Sequence, residues 1–152
     1  MNKVRQILFN WQCQQQPKRT VVIHPWEDVR TVAIIHDSVD VSHIAQAIEK
    51  GDRIVDVFQH PTQQEIQWLT GKPKNQLLDK LQRIHYDLLI DLTQQPSITM
   101  LYMAMLIKAD FKTGRHTCEG IHDMTINTPP RDSADYLYQQ ILYYLQMLTT
   151  SY

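Results

Sequence analysis

Three observations predict an α/β fold, a three-layer sandwich whose mostly parallel, Rossmann-like sheet carries helices on both faces. Short β-branched or leucine-rich runs alternate with helical periodicity along the whole chain, the pattern of a doubly wound sheet. Leu88, Leu89 and Ile90 form an apolar run between Asp87 and Asp91, too short for a helix and suited to a parallel strand covered on both sides. The stretch Tyr86–Arg115 compresses a buried strand, an apolar helix and a second strand into one βαβ unit. A single domain spanning residues 1–152 is expected, long enough to bury a core without disulfides or metal.

Val4, Ile7, Leu8 and Trp11 trace one face of an N-terminal helix over 2–15, stopped by Pro17 and expected to dock on the domain. Thr20–Ile23 reads as an edge strand or an extended linker, broken by His24-Pro25-Trp26. Val32–Ile35 is the first buried strand, followed by a helix that Asp40 or Ser42 caps, that presents Val41, Ile44, Ala45 and Ile48, and that stops at Gly51. Ile54–Phe58 is the second strand. Thr62 with Glu65 makes a capping-box pattern for a short helix whose Trp68 and Leu69 are expected to cover the core. Leu77, Leu78, Leu81 and Ile84 define a helix leading into the third strand at Tyr86.

Pro96 suits the first turn of the next helix, Ser97 to Lys108, which is apolar around most of its circumference and must be buried on more than one side. A fourth strand is expected near Phe111–Thr113 and a fifth at Met124–Ile126. The last helix presents Ala134, Leu137, Tyr138, Ile141, Leu142, Leu145 and Leu148 on one face.

A net charge of −1, from 15 basic and 16 acidic residues, gives no electrostatic footprint for nucleic acid or an anionic membrane. No apolar run reaches the length of a membrane span, and the N-terminus lacks a cleavage-like site, so a cytoplasmic location is expected. Cys13 and Cys118 have neither the number nor the spacing of a disulfide framework or zinc site and are expected as free thiols. The scattered glutamine pairs read as solvated surface.

The segment YDLLIDL…FKTGR resembles the N-terminal domain of heptosyltransferase-type glycosyltransferases, at Tyr86, Asp87, Leu88, Ile90, Asp91, Leu92, Gly114 and Arg115. The first strand departs from that pattern: the glycine before Asp40 is absent, His36 replaces a basic residue, and the family's nucleotide-sugar domain has no counterpart. The resemblance therefore implies a fold and not a working transferase. With HDS after the first strand, HDMTIN at His122–Asn127 and a tyrosine-rich last helix, the whole chain is similar to a family of short uncharacterised bacterial proteins, which brings no catalytic motif.

In an open parallel sheet, ligands sit outside the carboxyl ends of the strands at the topological switch point. Those ends carry His36, Asp37 and Ser38, then Gln59 and His60, then Asp91, Thr93 and Gln94, a set able to supply a base, carboxylates and an amide. The competing reading is that they cap helices and satisfy loop backbone. His36, Asp37, His60 and Asp91 as metal ligands lack any metal-motif spacing, and Ser38 with His60 lacks a nucleophile elbow. No catalytic residue, metal or cofactor is assigned. With neither GxGxxG nor GxxxxGK[ST] present, classical dinucleotide and phosphate-loop binding are disfavoured. Lys112, Gly114, Arg115 and His116 offer an anion site or a solvated turn. Tyr136, Tyr143, Tyr144 and Met147 lie partly off the core face of the last helix and suggest a homodimer, with ordinary packing as the alternative. The functional expectation is a non-enzymatic binding or assembly role; the alternative is a ligand-binding or enzymatic domain using the strand-end crevice.

Overall fold

The computed structural model describes residues 3–37, 40–115, 117, 120–129 and 133–149. Five strands, β1 (Thr31–His36), β2 (Ile54–Gln59), β3 (Tyr86–Asp91), β4 (Ala109–Arg115) and β5 (Met124–Ile126), form one sheet in the order β2-β1-β3-β4-β5. Every pairing among them is parallel, with Ile34 opposite Val57 on one side and Ile90 on the other. The helices α2 (Ser42–Glu49), α3 (Asn75–Leu81) and α4 (Ile98–Leu106) return the chain between successive strands, as parallel pairing requires.

Period-two alternation divides the core. Val32, Ile34, Leu88 and Ile90 face α2 and α5 (Ala134–Thr149) through Ile44, Ile48, Leu137, Ile141 and Leu145. Ala33, Ile35 and Leu89 point the other way, onto Leu77 and Leu81 of α3 and Met100, Met103 and Ala104 of α4. The apolar circumference of α4 has its explanation here. Its outer side, Ile98, Leu101, Tyr102 and Leu106, is covered by α1 (Lys3–Gln15) from the other end of the chain.

Helix α1 docks differently from the expected face. Val4, Ile7 and Trp11 are exposed, and Phe9 is the buried contact, set edge-on to Tyr102 with ring centroids 4.8 Å apart. One aromatic ring filling a slot on α4 contributes about 1.5–3 kcal/mol, which outweighs a weak apolar stripe in setting the helix's rotation. Thr20–Ile23 joins no strand; Val22 N–H alone donates to Asp110 C=O at 3.0 Å, so it is an extended linker.

The Thr62–Glu65 capping box forms, but it caps only a 3-10 turn at Gln63–Glu65. Trp68 and Leu69 stand in solvent instead of covering the core, because no continuing helix turns them inward. Ile84 lies beyond the end of α3 and Leu148 is exposed on α5. Strand β4 is longer than expected at both ends. The start of α2 carries no side-chain cap: Asp40 accepts the backbone N–H of Ser42 instead.

Candidate functional site

Strand order reverses between β1 and β3, since β2 lies to one side of the pair and β4 to the other. The crevice outside their carboxyl ends is where this architecture places ligands. Asp37, just past β1, closes it: one carboxylate oxygen accepts the N–H of Gln94 at 3.0 Å and the other that of Gln95 at 2.8 Å. This carboxylate fixes the loop after β3. For Asp37 the loop-satisfying reading holds, and the candidates fall on either side of that bridge.

On the β2 side, His36, Asp37, Gln59 and His60 share an open cleft of about 800 Å³ with Asp40, Ser42, Gln46 and Glu49 of the α2 region. Its described lining contains three carboxylates and two imidazoles but no lysine or arginine. The backbone N–H and hydroxyl of Ser42 hold the Asp40 carboxyl below its ordinary value and keep it charged. The His60 ring bonds through Nδ1 to the carbonyl of Pro61 at 2.8 Å, which orients it.

On the β4 side, Asp91, Thr93 and Arg115 line a separate cavity of about 20 Å³, room for one water. Asp91 is buried and spent locally. One of its oxygens accepts Thr93 N–H at 3.0 Å, and the other lies 2.7 Å from Nε2 of His122. Because a carboxylate accepts, the imidazole donates from Nε2; its Nδ1 is buried without a partner among the described residues. Gly114 makes the approach feasible, for a Cβ there would sit 2.7 Å from His122 Cδ2. Thr93 Oγ1 and Thr117 Oγ1 are likewise buried without partners among the described residues. With its side chain 1 % exposed, His122 is positioned to anchor the segment before β5 and not to meet a substrate.

Two residues of the strand-four set, Lys112 and Arg115, are buried and bonded to backbone carbonyls. Arg115 is buried and donates to the carbonyls of Thr128 and Pro129 at 2.9 and 2.5 Å, so it holds the loop leading to α5 and is no solvated turn. Lys112 is 2 % exposed and its Nζ donates to Ala104 and Met105 carbonyls at the end of α4, at 2.7 and 3.0 Å. Burial, helped by Arg19, pushes its ammonium down to about 7. Ser38 and His116 lie outside the described residues.

As a metal set, His36, Asp37, His60 and Asp91 do not assemble, since Asp91 faces His122 across the bridge. The sequence reading missed His122, which stands 31 positions from Asp91 with no motif spacing between them. The available signal was Gly114 near the end of a strand, where a missing side chain marks close approach by something else.

Comparison with protein-family models matches residues 49–148 to DUF6913, a family of unknown function. No curated protein and no solved structure matches the chain.

Proposed function

We propose that this chain, which belongs to the DUF6913 family of unknown function, is a non-enzymatic binding domain that takes a small amine-bearing ligand in the cleft between β1, β2 and α2. The observation that carries this reading is the charge of the lining: Asp37, Asp40 and Glu49 with His36 and His60, and no cationic side chain among the described lining residues. Such a surface attracts an ammonium group and repels phosphate. Ser42, the one hydroxyl on the described lining, hydrogen-bonds to Asp40, whose lowered carboxyl is a weak base, which favours binding over nucleophilic chemistry. The likeness of Tyr86–Arg115 to the heptosyltransferase-type domain concerns strands behind the cleft and lends it no transfer chemistry. A cytoplasmic setting is our reading too, in keeping with Cys13 as a thiol 3.6 Å from the sulfur of Met105.

The test is an amide-shift titration by two-dimensional NMR with putrescine and, separately, a sugar phosphate. Putrescine is expected to move the amides of Ser42, Gln59 and His60, and Asp40→Asn with His60→Ala to abolish the response. Shifts at these amides with the sugar phosphate alone would overturn the reading.

A second copy of the chain is the partner we propose for the outer face of α5. Tyr136, Tyr143, Tyr144, Met147 and Leu148 are exposed there, and a groove of about 570 Å³ separates them from β5, a three-residue edge strand. An exposed aromatic and methionine surface beside a strand edge unpaired among the described residues is suited to isologous pairing. Light scattering should give a dimer that Tyr144→Glu converts to a monomer; a concentration-independent monomer for the unaltered chain refutes the pairing.

A further inference from the structure

We propose that His24, Asp87 and Asp110 form a binding site for a divalent transition-metal ion of the zinc class, at the amino-terminal edge of the sheet opposite the cleft. The three residues each present a ligand atom, and these atoms all lie within 4.8 Å of one another. Nε2 of His24 is 2.8 Å from one oxygen of Asp110 and 3.9 Å from one oxygen of Asp87. Ligands around zinc at bonds of about 2.1 Å stand about 3.4 Å apart in a tetrahedron, so small side-chain movements admit the ion.

The carboxylates are aimed by their other bonds. Asp87 spends Oδ2 on the backbone N–H groups of Arg30 and Thr31, at 2.8 and 3.2 Å, which turns Oδ1 toward His24. Asp110 has its second oxygen 2.6 Å from Nε2 of His85. His85 thus holds the second oxygen of that carboxylate, as outer-shell hydrogen bonds hold ligating carboxylates. Borderline imidazole with carboxylate is the donor chemistry that suits zinc, and two carboxylates balance its charge.

Position decides the role. Asp87 and Asp110 are second residues of neighbouring strands whose first residues, Tyr86 and Ala109, pair in register. His24 comes from the linker after α1, held near by Val22 N–H on Asp110 C=O and by Arg19 on Asp123 at 2.6 Å. The ion would clasp that linker to the sheet at the end opposite the switch-point crevice. The site is structural.

The experiment is calorimetric titration of chelator-treated protein with zinc chloride, paired with thermal melts. The expected result is one ion per chain, a rise in melting temperature, and affinity at least tenfold weaker in both His24→Ala and Asp110→Asn. His24→Ala changes a partly exposed linker residue and is expected to fold even if Asp110→Asn does not, which circular dichroism checks. His60→Ala, in the opposite cleft, is expected to bind zinc unchanged. Absence of binding, or binding insensitive to His24→Ala, or binding lost in His60→Ala, overturns the assignment.

Discussion

Placing one methyl group at position 114 tests whether the fold depends on close contact between β4 and the segment before β5. In Gly114→Ala the new Cβ meets His122 Cδ2 at 2.7 Å, His122 Nε2 at 2.8 Å and Asp91 Cβ at 3.0 Å. Carbon contacts are comfortable at about 3.5 Å or more, so the ring must retreat by about 0.8 Å. That displacement stretches the 2.7 Å bond from Nε2 to Asp91 beyond hydrogen-bonding range. Overpacking costs about 1–3 kcal/mol and a buried bond to a carboxylate about 1.5–3 kcal/mol; since losing the bond relieves the clash, the two do not sum fully. The expected cost is about 2–4 kcal/mol, read from urea midpoints at unchanged m-value.

The refuting comparison is a double-mutant cycle with His122→Ala. If the ring is what the methyl strikes, Gly114→Ala in the His122→Ala background costs under about 1 kcal/mol, leaving a coupling of at least about 1 kcal/mol. Costs that add within about 0.5 kcal/mol would refute the contact as the cause.

Two other outcomes follow from buried polar groups. Tyr102 is fully buried and its hydroxyl has no partner among the described residues, so Tyr102→Phe is expected to raise stability by about 1 kcal/mol in thermal melts. Burial also raises the Tyr102 phenol above 10. The folded chain then keeps a proton that the unfolded chain loses, stability falls as pH climbs through 10, and the fall is shallower in Tyr102→Phe. Asp37→Asn retains the shape but leaves one acceptor for two donors, so one of the bonds from the Gln94 and Gln95 amides is lost and the other weakened; a loss of about 1–3 kcal/mol and faster hydrogen exchange at those two amides are expected.

The fold class was legible because buried parallel strands announce themselves: Val32–Ile35 and Leu88–Ile90 are apolar at consecutive positions, and both faces of each proved covered. The apolar circumference of α4 correctly demanded two covers, though only three-dimensional packing could assign the outer one to Phe9. The candidate site was half legible. A strand-end rule found His36, Asp37, His60 and Asp91 by position, but could not foresee that Asp37 would bridge to the next loop. Nor could it pair Asp91 with His122, because that contact depends on the absence of a side chain at Gly114. Arg115 and Lys112 misled for a common reason: formal charge suggested solvent, whereas backbone carbonyls at a loop and a helix end offered buried partners.

The seating of α1 on α4 carries a consequence for synthesis. Phe9 emerges from the ribosome about 90 residues before the helix that receives it, and at roughly 5–20 residues per second that is a wait of about 5–18 s. Throughout that interval the first helix has no seat, and β1, β2 and β3 are laid down before one exists. The earliest helix thus waits on the fourth, and the nascent chain carries an unburied aromatic for a chaperone to hold.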